Sequence, residues 1–267
     1  MSERILITGA AGKIGTLLRR SLRREDRFLR LVDIAEQTPL DAGESGELVT
    51  ASITDQAAMD RASDGMDAVV HLGGLASGGF TWDEYLDVNI NGTRVVFEAA
   101  RRAGVTRVVF ASSNHAVGFH PITAGEIVPD YLFARPDSFY GVSKAAGEAL
   151  GTLYHDRYGI DVVCLRIGSY LLEPEATRNR WSWLSPGDCV RLFDAAISAA
   201  SPGFRVVWGV SANRDGILSL KEGFAIGYRP QDDAANFGEL SDGPGDAARW
   251  RFVGGSFTAP GFDRDGP

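Results

Sequence analysis

Short apolar runs alternate along the chain with longer segments in which apolar residues recur every three to four positions. Runs of roughly four to eight apolar residues between turn residues predict buried strands, and the recurring pattern predicts amphipathic helices. Strands that alternate with helices in this way form a parallel sheet covered by helices on both faces. The pattern therefore predicts the α/β class, with a doubly wound parallel sheet.

The same pattern locates the individual elements. Strands are predicted at residues 4–8, 28–32, 47–49, 68–71, 107–111 and 162–166. Helices are predicted through Leu17, Leu18 and Leu22, from about Asp55, from about Trp82 to Ala103, and around Tyr140. A further helix is predicted after Ser185, with this serine as its N-cap and Pro186 in its first turn.

A glycine-rich turn follows the first predicted strand and precedes the first helix. The turn reads Gly9-Ala10-Ala11-Gly12-Lys13-Ile14-Gly15. Its glycines permit close approach of the backbone to a pyrophosphate, whose charge meets the free amides at the helix start. The second strand ends in Asp33, at the spacing where a carboxylate accepts hydrogen bonds from an adenosine ribose. Because Ile34 and Ala35 directly follow Asp33, with no Arg or Lys to receive a 2′-phosphate, the pattern predicts NAD rather than NADP. The cofactor contacts predicted here are Gly9, Gly12, Lys13, Ile14, Gly15 and Asp33.

A second glycine turn, His71-Leu72-Gly73-Gly74, follows the strand at 68–71. Leu72 and Gly73 are there predicted to bring the backbone close to the cofactor. Ser113 follows the strand at 107–111, and ligands of open parallel sheets bind beyond the carboxyl ends of strands. Ser113 is therefore a candidate for contact with the reacting group.

Tyr140 and Lys144 lie four residues apart where a helical pattern begins, so both side chains face the same side of the helix. A lysine beside a tyrosine favours the phenolate, and the phenol can then act as a base nearer neutrality. An exposed tyrosine and a solvated lysine on an amphipathic helix would show the same spacing. The glycine turn, Ser113 and the Tyr140–Lys144 pair in this order favour the catalytic interpretation.

These motifs, which read TGxxGxxG and YxxxK, resemble the extended branch of the short-chain dehydrogenase/reductase superfamily as far as about Arg166. The resemblance implies a Rossmann-type sheet with a small C-terminal substrate-binding portion. It implies one domain over 1–267, with 1–166 as the NAD-binding core and 167–267 as mainly substrate-binding and C-terminal elements. It also implies that Tyr140 transfers the proton, Ser113 holds the reacting oxygen, and Lys144 binds the nicotinamide ribose. Tyr140 and Lys144 thus serve both the cofactor and the chemistry.

The chain departs from the superfamily pattern at Ser52-Ile53. Many members carry an Asp before an apolar residue there, which receives the adenine amino group. Serine can accept the same hydrogen bond less strongly. Ser52 and Ile53 are therefore the predicted contacts of the adenine.

Several further segments together resemble the uronate dehydrogenase family over nearly the whole chain. They are SSNHAVG at 112–118, YGVSK at 140–144, LRIGS at 165–169, RNRWSWLS at 178–185, VVWG at 206–209 and GYRPQDDA at 227–234. The resemblance implies NAD-dependent oxidation of D-galacturonate and D-glucuronate at C1 to the aldarolactone. The substrate contacts that it implies are Ser77, Ser113, Asn114, Tyr140, Ser169 and Arg178, with Arg178 and nearby hydroxyls binding the carboxylate. His115 is expected to pack or to hydrogen-bond within its loop.

Alternatives remain at this point. An arginine in a loop is usually solvated, and Arg180 could bind the carboxylate instead of Arg178. A sugar-nucleotide epimerase or dehydratase of the same branch would share the motifs, although the chain after Ser169 is short for a nucleotide-binding lobe. A non-catalytic NAD-binding regulator would be a different class of protein, and such proteins usually lack the Tyr–Lys pair.

Composition narrows the expected partners and compartment. The net charge of −8 disfavours nonspecific binding of nucleic acid, and no apolar run approaches the roughly 18 residues of a membrane span. Cys164 and Cys189 fall in strand and helix patterns and are expected to be reduced and buried, as in a cytoplasmic protein. No metal is expected, because the histidines do not cluster. The chain is expected to form a homo-oligomer.

Two further predictions concern surfaces. Arg19-Arg20 and Arg23-Arg24 are interpreted as the solvated face of the first helix. The Gly-, Asp- and Pro-rich residues from about Ala259 are typical of a mobile or partner-docked tail.

Overall fold

The computed structural model describes residues 3–76, 78–241 and 251–263. Its main strands are β1 (Glu3–Thr8), β2 (Arg27–Asp33), β3 (Gly46–Thr50), β4 (Ala68–His71), β5 (Arg107–Ser113) and β6 (Asp161–Ile167). Two short strands, β7 (Ser169–Tyr170) and β8 (Trp183–Leu184), pair with each other, and β9 (Phe204–Gly209) follows. The long strands form one parallel sheet in the order β3-β2-β1-β4-β5-β6-β9. The prediction of a parallel α/β sheet is confirmed.

Helices connect these strands. They are α1 (Lys13–Ser21), α2 (Gln56–Ser63), α3 (Trp82–Glu84), α4 (Gly92–Arg102), α5 (Phe139–Tyr158), α6 (Asn179–Ser182), α7 (Pro186–Ser198) and α8 (Lys221–Ala225). Single-turn 3₁₀ segments lie at Asn114–Val117, Ala234–Phe237 and Gly255–Thr258. Ser185 accepts a hydrogen bond from the amide of Asp188 and Pro186 opens α7, so the predicted start of this helix is confirmed.

Successive residues of each strand point to opposite faces of the sheet and build two apolar layers. In β1, Ile5 and Ile7 pack into the layer covered by α1 and α7, whereas Leu6 packs into the layer covered by α2, α4 and α5. Cys164 and Cys189 are free thiols that lie fully buried in these two layers, as the sequence predicted. The continuous apolar runs of the sequence thus reflect a sheet that is buried on both faces.

The long helix predicted from about Trp82 to Ala103 is interrupted. A π-helical segment, Tyr85–Asn91, separates α3 from α4. Within it the Asn89 amide accepts from the Leu75 amide at 2.7 Å and donates to the Leu75 carbonyl and the Ser143 hydroxyl at 3.0 Å. Apolar periodicity does not report such contacts, because they join residues far apart in sequence.

The interpretation of the first-helix arginines as a solvated face is wrong for Arg19. This residue is 8% exposed, pairs with Glu44 at 2.7 Å, and donates to the carbonyl groups of Thr38 and Pro39. The segment after β2 folds back over α1 and covers the guanidinium. Sequence spacing within the helix could not show this return of the chain.

The residues from about Ala259 dock on their own chain. Phe262 stacks on Phe257 with a centroid distance of 3.9 Å, and the Asp263 carboxylate accepts from the Phe139 amide at 2.7 Å. The expectation of a mobile or partner-docked tail is therefore wrong for residues 259–263, because aromatic stacking and a helix-end hydrogen bond secure them. In the described part of the chain, no helix has the length and apolarity needed to cross a membrane.

Candidate active site

The predicted cofactor segments meet at one edge of the sheet, beyond the carboxyl ends of β1, β2 and β4. Strand order reverses direction between β1 and β4, which is the position where open parallel sheets bind ligands. Gly9 has a φ of +71°, and a Cβ there would lie 2.7 Å from the Gly73 nitrogen. Gly73 in turn donates its amide to the Thr8 hydroxyl at 3.2 Å. The two glycine turns are thus packed against each other, and only glycine fits at position 9.

The N-terminus of α1 is open toward this edge. Gly12 is its N-cap and has no side chain that could cap the helix, so the amides of Lys13, Ile14 and Gly15 lie in the unbonded first turn. The Asp33 carboxylate accepts from the Ala11 amide and from the Ala35 amide, each at 2.9 Å. These residues fit a dinucleotide: an exposed helix end for a pyrophosphate, with a carboxylate fixed beside the same turn.

Ser52 and Ile53 follow β3 at the same edge. The Ser52 hydroxyl lies 2.8 Å from the Thr54 hydroxyl and accepts from the Thr54 amide at 3.2 Å. Ile53 is 8% exposed and packs near Gly73 and Gly92. Leu72 donates its amide to the Thr8 carbonyl at 3.1 Å, directly beside the Gly9 turn. Ser52, Ile53 and Leu72 therefore lie at the same edge of the sheet as the two glycine turns. The Ser52 hydroxyl contacts Thr54 of its own loop.

The structure brings Ser113, Tyr140 and Lys144 together. Ser113 is the last residue of β5, and Tyr140 is the second residue of α5, whose N-cap Ser138 accepts from the Gly141 amide at 3.0 Å. The Lys144 ammonium donates to the Ala111 carbonyl at 2.9 Å and lies 5.5 Å from the centroid of the Tyr140 ring.

Burial dominates the electrostatics of this trio. It raises the pKa of Tyr140 to about 12, although a hydrogen bond with Ser113 acts in the opposite direction. Burial also lowers the pKa of Lys144 to about 8. The expectation of a phenol pKa nearer neutrality is wrong for the protein alone, because desolvation disfavours the charged form of each enclosed group.

Arg178 lies at the start of α6 and is half-buried. Its Nη1 donates to the Ser169 hydroxyl at 2.8 Å, and its Nη2 donates to the Val253 carbonyl at 2.9 Å. Its Nε is enclosed and has no hydrogen-bond partner. Burial lowers the pKa of Arg178 to about 10, so the guanidinium remains charged at neutral pH. No carboxylate of the described residues lies within ion-pairing distance of it.

Of the other predicted substrate contacts, Ser169 bonds this guanidinium directly and Asn114 shares one of its partners. Asn114 donates its side-chain amide to the Val253 carbonyl at 3.2 Å, so the same carbonyl serves Asn114 and Arg178. Arg180 faces elsewhere and pairs with Asp215 at 3.4 Å. Ser77 lies outside the part of the chain that the structure describes.

Sequence reasoning missed several residues of this region. The Ser182 hydroxyl lies 3.0 Å from the Ser169 hydroxyl, and the Val253 carbonyl comes from a segment far along the chain. His115 stacks on Phe257 at 3.8 Å, in agreement with its predicted packing role, but the hydrogen bond between its Nδ1 and the Asp137 carboxylate at 2.7 Å was not foreseen. An Asp directly before the N-cap Ser138 was the only sequence signal for this pair.

A second buried network lies immediately behind the site. The Ser112 hydroxyl donates to Glu148 at 2.6 Å, and Arg166 donates to the same carboxylate at 2.8 and 2.9 Å. Glu148 follows Lys144 by four residues on α5, which was a usable signal for a shared helix face. Within residues 3–76, 78–241 and 251–263, no group of three or more His, Cys, Asp or Glu side chains is arranged to hold a metal ion.

Comparisons with known proteins extend over both the cofactor edge and the later segments. The sequence profile of the NAD dependent epimerase/dehydratase family matches residues 5–179. The chain is 40% identical to the uronate dehydrogenase of Pseudomonas syringae pv. tomato over 263 residues, covering 97% of this chain and 94% of that relative. It is 37% identical to the NAD-dependent glucose-6-phosphate dehydrogenase of Haloferax volcanii over 255 residues, covering 89% of this chain and 96% of that relative. A solved structure of a mutant uronate dehydrogenase from Agrobacterium tumefaciens complexed with NAD superimposes with a TM-score of 0.88 at 37% identity and covers 97% of each chain.

Proposed function

Because the chain belongs to the NAD dependent epimerase/dehydratase family and aligns over nearly its whole length with uronate dehydrogenases, we propose that it oxidises D-galacturonate and D-glucuronate at C1 with NAD. The product is the aldarolactone, since oxidation of a ring hemiacetal gives a lactone directly. The dependence on NAD follows from the family and from the fit of the glycine turns and Asp33 to a dinucleotide.

The observation that carries the proposal is the unpaired charge of Arg178. Its guanidinium has hydroxyl and carbonyl partners, an enclosed Nε without a partner, and no carboxylate within ion-pairing distance among the described residues. A buried cation without a counter-charge costs stability unless an anion completes the site. Guanidinium binds a carboxylate through two parallel hydrogen bonds, so a uronate carboxylate supplies what this site lacks.

The proposed chemistry assigns one task to each residue of the trio. When bound, NAD supplies the hydride acceptor at its nicotinamide ring. Tyr140 removes the proton of the anomeric hydroxyl, Ser113 holds the same oxygen, and Lys144 orients the ribose. Because the phenol pKa is about 12 in the protein alone, Tyr140 depends on positive charge beside it, which the Lys144 ammonium provides. Arg178 anchors the carboxylate, so that C1 faces the hydride acceptor.

A second candidate substrate class is a sugar phosphate. The Haloferax volcanii relative is named a glucose-6-phosphate dehydrogenase, and a guanidinium also binds phosphate bidentately. The similarity to uronate dehydrogenase over 97% of this chain, against 89% for the glucose-6-phosphate dehydrogenase, favours the carboxylate. A sugar-nucleotide epimerase and a non-catalytic NAD-binding regulator are the alternatives to a sugar dehydrogenase. The assembled Tyr140–Lys144 pair disfavours the regulator.

A substrate panel tests the proposal. NADH formation is measured with D-galacturonate, D-glucuronate, D-glucose, D-galactose, glucose 6-phosphate and a UDP-hexuronate, each with NAD and with NADP. We expect efficient turnover of both uronates with NAD and weak turnover of the neutral sugars. Preferential oxidation of glucose 6-phosphate, or consumption of only the nucleotide sugar, would reject the uronate assignment.

Replacing Tyr140 by Phe tests the base. The ring and its packing persist while the acid–base oxygen is lost, so we expect kcat to fall by about 10² to 10⁴. The dissociation constant of NAD, measured by fluorescence, should change little. A Tyr140→Phe enzyme with a tenth of the wild-type kcat would exclude Tyr140 as the proton acceptor.

The proposal includes a cellular setting and an organisation of the chain. We place residues 1–166 in the NAD-binding core and 167–267 mainly in substrate binding, within one domain, and pairing of β9 with β6 supports one domain. Two buried free cysteines support the reducing cytoplasm, and the net charge of −8 disfavours nonspecific binding of nucleic acid. The proposed partner is the small-molecule hexuronate, with neither nucleic acid nor membrane. Exposed Trp82 and Leu86 near α5 support a homo-oligomer, which light scattering after gel filtration can measure.

A further inference from the structure

The Asp137 carboxylate is fully enclosed and has no role in the chemistry described so far. Its side chain has 0% exposure, and its Oδ2 lies 2.7 Å from the His115 Nδ1. Its Oδ1 accepts from the Ser138 hydroxyl at 2.9 Å. Burying a carboxylate is costly unless its partners are fixed, so a residue of this kind must be secured by its surroundings.

Two glycines from different segments make room for this carboxylate. A Cβ added at Gly118, after β5, or at Gly254, in the C-terminal segment, would overlap the Asp137 oxygen Oδ2. Neither glycine has a positive φ, so the requirement is for space and not for an unusual backbone conformation. The carboxylate therefore lies at a point where three parts of the chain meet.

Each of those three parts carries residues of the active site. His115 follows Ser113 and Asn114, and Ser138 caps the helix whose second residue is Tyr140. Gly254 follows Val253, whose carbonyl accepts hydrogen bonds from Asn114 and Arg178. A displacement of Asp137 would move all three parts relative to one another.

The contact from Asp137 to the reacting phenol runs through the imidazole. The His115 ring meets the Tyr140 ring edge-on, with a centroid distance of 5.8 Å, and its other face stacks on Phe257 at 3.8 Å. A carboxylate bonded to Nδ1 fixes both the orientation of the ring and the nitrogen that carries the proton. The imidazole then forms a fixed wall against which the phenol packs.

We propose that Asp137 is a positioning residue of this active site, which holds the His115 ring and thereby the Tyr140 phenol in place for proton transfer from the sugar. The proposal rests on the proposed function for the identity of that sugar. Asp137 touches neither the substrate nor the cofactor in this role. It determines how well Tyr140 is aligned with the sugar.

The test is a double-mutant cycle in kcat with D-galacturonate. Asp137→Asn keeps the size of the side chain and removes its charge, and we expect kcat to fall by about 10- to 100-fold because small misplacements of reacting groups cost rates of that order. The dissociation constant of NAD should stay within about twofold, because the cofactor edge lies on β1, β2 and β4. In a His115→Ala background, the added Asp137→Asn change should alter kcat by less than about twofold, since the two residues act as one unit.

A pH profile separates alignment from general destabilisation. The negative charge of Asp137 contributes to the raised pKa of Tyr140, after burial as the main cause. The groups that face this charge are His115, Ser138, Arg178 and Asp263. Its removal favours the phenolate, so the acidic limb of kcat should move to lower pH in Asp137→Asn. A purely structural role predicts lower stability with an unmoved limb.

Asp188→Asn is the matched control. Asp188 is another carboxylate with 0% exposure, bonded to Arg191 and to the amides of Gln231 and Asp232 in the first turn of α7. We expect this variant to lower the melting temperature and to leave kcat within about twofold of wild type. Equal losses of kcat in the two variants would overturn the positioning role.

Gly118→Ala serves if Asp137→Asn does not fold. Its methyl group would displace the carboxylate while leaving every polar group present, and we expect the same direction of change in kcat. The proposal is overturned if the Asp137→Asn or Gly118→Ala enzyme keeps wild-type kcat, or if the loss persists in the His115→Ala background. If wild type oxidises another aldose and not uronates, the proposed function fails, and the cycle is measured on that aldose.

Discussion

Two buried cationic regions lie next to each other in this molecule and differ in their counter-charge. Behind Ser113 and Tyr140, Arg166 is 2% exposed and donates two hydrogen bonds to the Glu148 carboxylate, at 2.8 and 2.9 Å. At the active site itself, Lys144 donates to the Ala111 carbonyl, and Arg178 donates to hydroxyl and carbonyl oxygens. The first region is electrically complete, whereas the second has positive charge that no carboxylate of the described residues pairs directly.

The same elements supply both regions. On α5, Lys144 lies beside Tyr140, and Glu148, one turn later, accepts hydrogen bonds from Arg166. On β5, neighbouring residues point to opposite faces, so the Ser112 hydroxyl donates to Glu148 while Ser113 meets Tyr140. The comparison shows that a buried charge with a counter-charge is tolerated within the fold, whereas a buried cation without one marks where an anionic ligand belongs.

The largest expected effect concerns the complete region. Arg166→Met leaves Glu148 as a buried carboxylate without a cation, so we expect the free energy of unfolding to fall by about 3 to 5 kcal/mol. Urea denaturation monitored by circular dichroism measures it. The double variant Arg166→Met with Glu148→Leu should recover most of the loss, because both charges are then removed. A stable single variant would show that the network is not electrostatically coupled.

The next effect concerns the incomplete region. Arg178→Met should lower kcat/KM for uronates by about 2 to 5 kcal/mol in transition-state stabilisation, with most of the loss in KM. The free energy of unfolding should not fall, because the change removes a buried cation that has no carboxylate partner. Steady-state kinetics and urea denaturation of the same preparation measure the two quantities.

Arg180→Met is the control for that change. Arg180 lies two positions on and pairs with Asp215 at the surface, so its removal should leave kcat/KM for uronates nearly unchanged. If Arg180→Met is the damaging variant and Arg178→Met is silent, the carboxylate contact has been assigned to the wrong arginine. If both are silent, no arginine of this segment recognises the carboxylate.

The smallest effect is the pH dependence of stability due to Lys144. Burial lowers its pKa to about 8 in the folded protein, below the ordinary value of 10.5. Between pH 8 and 10 the unfolded chain binds more protons at this site, so its contribution to stability rises with pH by about 1 to 2 kcal/mol.

The measurement is the difference in unfolding free energy between wild type and Lys144→Met across that interval. Burial raises the pKa of Cys164 and Cys189, which lowers stability at alkaline pH, but both thiols are present in the two proteins. A difference that is constant from pH 8 to 10 would show that the Lys144 ammonium is as well solvated in the folded protein as in the unfolded chain.

Local signals predicted the cofactor edge well. The turn after β1, Asp33 at the end of β2, and the glycine turn after β4 all lie where the spacing placed them. These features depend on residues close together in the sequence. The turn after β1 needs the φ of +71° at Gly9, and Tyr140 and Lys144 lie one helical turn apart. Such information is present in a short stretch of sequence, because strand, turn and helix propensities act over a few residues.

The sequence by itself thus determined the α/β fold, the cofactor edge, and the residue types available for chemistry. Only the tertiary structure decided which polar groups contact one another. The Asn114 side chain and the Val253 carbonyl meet across 139 positions of the chain, and Asp137 lies between glycines of two other segments. The tertiary structure also reversed the expected effect on the Tyr140 pKa, since the spacing of two residues reports their proximity but not the loss of water around both. Burial and long-range contacts arise when distant segments pack, and they leave no periodic trace in the order of residues.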